Sequence, residues 1–401
     1  MKVLFINETC GRGSHGKLCC HQAEEYLRQG HICRIAYGRG DVPSEYKDIA
    51  KKIGGKLSTY FHVLITRLFD AHGLGSYFAT RSFIQWADSF DPDVLWLHNI
   101  HGYFLNYELL FAWIKTRPRM EVKWTLHDEW ALTGHCGCFG MAKCEKWKVH
   151  CEHCVQKKEY PKSIALDASY KNFLRKKKAF TGVTQMQLIT PSQWLADLTR
   201  ESILREYPVS VVYNTIDTSV FRPTKSDFRD KNNLSDKKVM LCVANVWQEC
   251  KGLKDILLLQ RMLDNNYAIV VVGVTEAQKE FFSSAEGRNT YLRGCKIPKR
   301  NSPYREIVRK KSGIAIPANI QDMYTAITGR QYCAEPEETA RILFVLKTKN
   351  AQELASLYSM ADVFLNPTRE DNYPTVNLEA QACGTFVITY DTGGCKETLV
   401  E

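Results

Sequence analysis

Short runs of β-branched, aliphatic and aromatic residues recur along the chain, separated by stretches with helical spacing of apolar positions. In the first half they are "VLFIN", "RIAYG", "DVLWLH", "VKWTLHD", "QLITPS" and "SVVYN". In the second half they are "KVMLCVAN", "AIVVVG", "ILFVLK", "DVFLNP" and "FVITYD". Runs this short and this apolar predict strands covered on both faces, and their alternation with helical segments predicts parallel sheets in doubly wound α/β domains. The polar, Pro-containing segment 217–238 interrupts the rhythm and reads as a linker. It divides the chain into domains 1–216 and 239–401. Ligands of such sheets sit beyond the carboxyl ends of the strands, so the turns after each run are where chemistry is expected. One region departs from the pattern: 283–340 is basic, then acidic, and weakly periodic, and reads as an insertion in the second domain, either solvated or forming a basic surface for an anionic lipid.

The first such turn, "GRGSHGKL", fits a phosphate-binding P-loop as far as Lys17, but Leu18 stands where a Mg²⁺-ligating Ser or Thr is required. What remains is a glycine turn, with Gly13 and Gly16 allowing close backbone approach to a polar ligand. Near the end of the chain, "NPTREDNYPTVNLEAQACGTFVITYDTGG" combines a strand, a polar turn and a helix with Pro374 in its first turn. Seven residues separate Asp371 from Glu379. Carboxylates so placed either hold hydroxyl-rich ligands or cap and decorate a helix.

The chain has 401 residues and 54 Lys and Arg against 44 Asp and Glu. The length favours two domains, and the +10 net charge favours an anionic partner. No stretch reaches membrane-spanning length and the amino terminus is too quickly polar for a signal peptide, so a cytoplasmic location is expected. Fifteen cysteines spread through an enzyme-like composition point to free thiols or a metal site rather than a disulfide scaffold. Within the cysteine-rich loop 135–154, Cys136, Cys144, Cys151 and Cys154 include a C-x-x-C pair and could form a structural zinc site; unliganded or redox-sensitive thiols are the other reading. His127 ends a strand beside Asp128, which is expected to orient its ring and favour its charged form. His98 and His101 read as structural, His98 being the better candidate for a site.

The acid-x₇-acid spacing with "EAQACGTFVIT" and "TGG" resembles the donor-binding motif of retaining family 4 glycosyltransferases of the GT-B fold. The likeness extends through "PDVLWLHNIHGYFLN", "WTLHDEWALTGHC", "ITPSQWLADL", "VVYNTIDTSVFRP" and "CKGLKDIL", and is strongest to bacterial enzymes of capsular and exopolysaccharide assembly. It implies two Rossmann-like domains facing a cleft, with the acceptor on the N-terminal side and a UDP- or GDP-linked sugar on the C-terminal side. By resemblance Lys251 binds the diphosphate, Asp371 the donor-sugar hydroxyls and Glu379 the ribose, while His127 faces donor sugar and acceptor. Asn372, Tyr373, Pro374, Gly393 and Gly394 then belong to the donor site, with free amides near Asn372 and Tyr373, and the glycine turn with Gly13 and Gly16 closes over the diphosphate or acceptor.

The implied reaction is a front-face transfer to a glycan or lipid-linked acceptor, requiring no cofactor and no nucleic acid, at the inner face of the cell membrane as a peripheral protein. Three departures stand out: Asp371 replaces the usual Glu, Cys250 replaces the arginine that commonly precedes the lysine, and the chain stops soon after "TGG", which suggests a shortened C-terminal domain. Lys254 or an arginine of the insertion is the expected substitute for the missing charge. The departures also leave room for a scaffold that binds a nucleotide sugar or glycan without turnover.

Overall fold

The computed structural model describes residues 1–295, 297 and 314–399 and divides the chain into two compact units, Met1–Tyr213 and Asn214–Glu401. In the first unit β1 (Lys2–Thr9) leads through α1 (Gly13–Arg28) to β2 (Ile32–Arg39) and β3 (Ala50–Lys52). Then follow α2 (Lys56–Phe69), α3 (Tyr77–Phe90), β4 (Val94–Leu97), α4 (Tyr107–Lys115), β5 (Glu121–Thr125), α5 (Ser169–Phe180), β6 (Met186–Thr190), α6 (Gln193–Glu201) and β7 (Val209–Val211). The strands form one sheet in the order β3-β2-β1-β4-β5-β6-β7, with every pairing parallel.

Alternation along β1 explains how this sheet is buried on both sides. Leu4 and Ile6 join a core with Leu97, Phe111, Trp124 and Phe180, whereas Val3 and Phe5 join another with Cys19, Ala23 and Ile35. Two side-chain caps fix helix starts: Asn106 accepts from the Leu109 amide in α4, and Ser192 from the Leu195 amide in α6. β3 was not among the expected strands, because "AKK" carries no apolar run and needs only one neighbour to pair with.

The second unit contains α7 (Phe228–Lys231), β8 (Lys238–Val243), α8 (Leu253–Met262), β9 (Tyr267–Val272), α9 (Glu276–Ser283) and α10 (Ala285–Tyr291). After them come β10 (Ile314–Ala315), α11 (Ile320–Thr328), β11 (Arg341–Val345), α12 (Ala351–Met360), β12 (Val363–Asn366), α13 (Thr375–Ala382) and β13 (Phe386–Thr389). Its parallel sheet has the order β10-β13-β12-β8-β9-β11. The same alternation recurs in β8, where Met240 and Cys242 face one core and Val239 and Leu241 the other.

Two expectations are revised here. The short helix α7 lies inside the segment expected to be a linker, with Phe228 packed against the core of the second unit. The region 283–340 also contributes to that domain: β10 extends the sheet and α11 buries Ile320 and Met323. Its most basic part, 298–313, lies outside the described residues. Among the described residues no helix is long and apolar enough to cross a membrane.

Candidate functional site

Strand order reverses direction twice, between β1 and β4 in the first sheet and between β8 and β12 in the second. Such a reversal sends the following connections to opposite faces and opens a crevice at the carboxyl ends of the two strands. The candidate residues gather at these two places.

In the second unit, Lys251 follows β8 and Asp371 follows β12, and Lys251 Nζ lies 2.6 Å from Asp371 Oδ2. Both side chains are partly exposed. Burial alone would lower the lysine's pKa, but the charge and hydrogen bond of Asp371 outweigh it and the ammonium is favoured. Asp371 is itself held by backbone. The Gly394 amide donates to its carbonyl at 3.1 Å, and Gly393, at φ +54°, passes so close that a Cβ there would stand 2.0 Å from the same oxygen. The Tyr373 amide, expected to be free, is directed to Asp371 Oδ1 at 3.3 Å, because an aspartate readily accepts from the amide two residues on. Pro374 stands at the N-cap of α13 rather than inside its first turn, with ψ 107°.

Glu379 lies within α13, where its Oε2 accepts from the fully buried Tyr358 hydroxyl at 2.9 Å. Burial, reinforced by this carboxylate, pushes the Tyr358 pKa well up and keeps the phenol protonated as donor. Lys254, one expected substitute for the arginine replaced by Cys250, is drawn away to Glu249 at 2.8 Å. Arg369, in the turn after β12, meets Cys250 through its backbone and Asp255 through its guanidinium. Its amide donates to the Cys250 carbonyl at 2.7 Å, and Nη2 reaches both carboxylate oxygens of Asp255 at 3.0 Å. Sequence reasoning passed over Arg369 because nothing in the order of residues reveals that the β12 turn is hydrogen-bonded to the β8 turn.

In the first unit Asn7, at the carboxyl end of β1, ties the first turn to the next. Its amide donates to the Thr9 carbonyl at 2.8 Å and its oxygen accepts from the Asn99 amide at 3.2 Å. Gly16 is required by packing, since a Cβ would meet Thr9 Oγ1 at 2.6 Å. Gly13 is different: at φ +67° it has no atom within 4 Å of a Cβ position.

Above these turns sits a group of imidazoles. His127 Nε2 is 3.0 Å from His98 Nδ1, its ring stacks on His15 at 4.2 Å between centroids, and Asn99 Nδ2 is 2.9 Å from His15 Nδ1. The expectation that Asp128 favours a charged His127 is overturned. The Asp128 carboxylate is directed to His101 Nε2 at 2.8 Å and the Trp130 amide at 3.0 Å, because successive side chains leave the turn in different directions. Burial, then the neighbouring His15, His98 and His101, hold the His127 pKa well below its usual value. Burial likewise brings His98 down to about 3. The cavity lined by His98, His101 and His127 holds about 10 Å³, enough for one water. His15, Asn99 and His101 were the residues sequence reasoning underrated, although His15 already stood in the glycine turn.

The cysteine-rich loop packs beside α5. Gly134 donates its amide to Cys151 Sγ at 3.2 Å, His135 Nδ1 lies 2.5 Å from Asp70 Oδ1, and Phe139 stacks on the buried Trp147. Cys136, Cys144, Cys151 and Cys154 line one cavity of about 30 Å³. Among the described residues, however, no group of three or more His, Cys, Asp or Glu is placed to hold a metal ion, so the four-thiolate reading gains no support from the geometry. All fifteen cysteines are free thiols, and seven of the buried ones lie outside this loop in the sequence.

Comparison with known proteins adds to this geometry. A family model described as Glycosyltransferase Family 4 matches residues 16–220, just over half of the chain, and one described as Glycosyl transferases group 1 matches residues 330–401. The chain belongs to glycosyltransferase family 4. WcaC of Escherichia coli K12, named for glycosyl transfer in colanic acid biosynthesis, is 26% identical to this chain over 209 residues, 49% of this chain and 50% of WcaC. A D-inositol 3-phosphate glycosyltransferase of Corynebacterium urealyticum is 37% identical over 68 residues, 17% of this chain and 16% of that relative. The chain thus spans half or less of the length of these curated relatives.

Among solved structures, sucrose-phosphate synthase of Thermosynechococcus elongatus aligns with a TM-score of 0.59 at 14% identity, covering 100% of this chain and 83% of the other. HepE of Anabaena in complex with UDP aligns at 0.56 and 13%, covering 100% and 84%. WaaG, a glycosyltransferase involved in lipopolysaccharide biosynthesis, aligns at 0.54 and 14%, covering 98% and 82%. With its two Rossmann-like units the glycosyltransferase has the GT-B fold.

Two expectations follow for the glycosyltransferase. Gly393→Ala combines a left-handed φ with a clash on the Asp371 carbonyl, so it should cost at least about 2 kcal/mol in urea unfolding, whereas Gly13→Ala should cost only about 1 kcal/mol. Below about pH 6.5 the unfolded chain takes up a proton at His98 that the folded chain refuses until about pH 3, so acid favours unfolding. His98→Asn should therefore lose less melting temperature than the parent between about pH 7 and pH 5.

Proposed function

We propose that this glycosyltransferase transfers a sugar, with retention of anomeric configuration, from a nucleoside-diphosphate sugar to a glycan or lipid-linked glycan during synthesis of a cell-surface polysaccharide. The observation that carries this reading is the contact of Lys251 with Asp371 at the strand-order reversal of the second sheet. A cation there suits a diphosphate, and a carboxylate beside it suits sugar hydroxyls. HepE, of the same fold, has been solved with UDP and with UDP-glucose, which favours a UDP-sugar donor, and WcaC is named for colanic acid biosynthesis, which favours a bacterial glycan product.

In this reading the bond from the anomeric carbon to the β-phosphate oxygen breaks as the acceptor hydroxyl oxygen bonds to that carbon from the same face. The hydroxyl proton passes to the departing phosphate. Lys251 neutralises the charge growing on the phosphate, which requires its ammonium to be shared between Asp371 and the ligand. Asp371 accepts from hydroxyls of the donor sugar, and Glu379, held by Tyr358, accepts from the ribose. Asn372, Tyr373 and Pro374 shape the donor's turn, and Gly393 and Gly394 fix Asp371 from behind. His127 acts as a neutral imidazole and accepts a hydrogen bond from donor sugar or acceptor. Gly13 leaves the first turn open for backbone contact, whereas Gly16 is bound to packing. The acceptor's lipid would bring the protein to the inner face of the membrane.

The test is transfer from labelled UDP- and GDP-sugars to lipid-linked acceptors extracted from membranes. We expect transfer from one donor and a loss of about 10²–10³-fold in kcat for Lys251→Ala, the range seen when one group stabilising transition-state charge is removed. Equal rates for parent and variant would refute the role of Lys251, and no transfer or donor hydrolysis with any donor would refute the activity.

A further inference from the structure

Two sulfurs meet across the glycine turn of the first unit. Cys10 follows β1 and opens the turn, and Cys20 lies in α1, ten residues further on. Their Sγ atoms are 3.5 Å apart, and one thiol donates to the other. Both are buried, in the core that holds Val3, Phe5, Ala23 and Ile35. Apolar side chains of similar size would fill that core equally well, so the pairing of two thiols points to their chemistry rather than to packing.

The contact gives the two sulfurs different roles. The hydrogen bond from Cys20 lowers the Cys10 pKa, against burial and the charge of Glu45. The same bond, together with burial, raises that of Cys20. On ionisation the charge therefore goes to Cys10, while Cys20 keeps its proton. A thiolate touching a protonated thiol is the arrangement in which a sulfenic acid is resolved into a disulfide. Arg12, Gly13 and Ser14 are exposed just beyond Cys10, so a small oxidant reaches it when the turn opens. Closing 3.5 Å to a bonded distance of about 2.0 Å falls on a flexible joint, since Gly11, at φ +68°, comes next in the chain.

We propose that Cys10 and Cys20 form a reversible disulfide in the presence of hydrogen peroxide, and that this bond pins the glycine turn to α1. The Cys10 thiolate attacks one peroxide oxygen, the O–O bond breaks, and the departing hydroxide takes a proton from solvent and leaves as water. The Cys20 sulfur then attacks the sulfur of the Cys10 sulfenic acid. The S–S bond forms, the S–O bond breaks, and the Cys20 proton leaves with the hydroxide as a second water. Two thiols lose two electrons, and the peroxide gains them. The ring so closed contains Gly11, Gly13 and Gly16 and also His15, which stacks on His127. Any effect on transfer rests on the proposed role of this turn, whereas the bond and the pinning are read without substrate, so either can fail alone.

The full chain is treated with hydrogen peroxide, remaining thiols are blocked, and the unreduced digest is mapped by mass spectrometry. A cross-link between Cys10 and Cys20 is expected, and dithiothreitol should remove it. Hydrogen exchange at the amides of 11–17 should slow at least about tenfold in the oxidised chain, because the cross-link suppresses openings of the loop it closes. In Cys20→Ala the sulfenic acid should persist at Cys10 and be captured by dimedone. Cys19→Ala, which removes the adjacent thiol, should leave the cross-link in place. Should Cys20→Ala fail to fold, the cross-link map and the exchange of the parent carry the test. No Cys10–Cys20 cross-link at a peroxide dose that oxidises the exposed Cys333 would overturn the proposal. So would a cross-link of Cys10 to Cys19, or turn amides that exchange equally fast in the oxidised and reduced chains.

Discussion

The ion pair between Lys251 and Asp371 is the constraint around which the second unit is arranged. β8 and β12 are neighbours in the sheet, and the turns that follow them deliver Lys251 and Asp371, 120 residues apart in sequence. A lysine ammonium and a carboxylate 2.6 Å apart stabilise each other, and they also hold both groups in one of many rotamers before any ligand arrives. The pair remains partly open to solvent, so its net contribution to folding is modest and its value lies in placement.

Backbone contacts keep that placement from relaxing. Gly393 and Gly394 press on the Asp371 carbonyl, and the Tyr373 amide turns inward to its carboxylate, so the loop cannot shift without breaking several hydrogen bonds. Arg369 anchors the same loop to α8 through Asp255, and Thr392 Oγ1 donates to the Thr368 carbonyl at 2.8 Å. In the proposed reading, a phosphate approaching Lys251 would meet a cation whose position is already determined, and would displace one interaction with Asp371. The first unit follows the same logic with neutral groups: Asn7 ties two turns together, and burial keeps His98 and His127 uncharged.

How much of this the sequence reveals depends on the range of the interaction. Strands such as β1, β8 and β9 are legible because local apolar runs follow from burial on both faces. β3 and β10 are not, since three and two residues at a sheet edge need no apolar run. The candidate residues Lys251, Asp371 and Glu379 come from the resemblance to the family's motifs. The hydrogen-bond partners do not: Asp128 turning to His101, the Arg369 amide meeting the Cys250 carbonyl and Glu379 meeting Tyr358 all depend on which turns the fold places side by side.

The most direct test of the Lys251 account is calorimetric titration of UDP and of uridine into the parent and into Lys251→Met. If a preplaced ammonium receives the diphosphate, the parent should prefer UDP over uridine by about tenfold or more, as a charge-assisted hydrogen bond requires, and the variant should lose most of that preference while still binding uridine. A preference for UDP that survives unchanged in the variant would contradict the account.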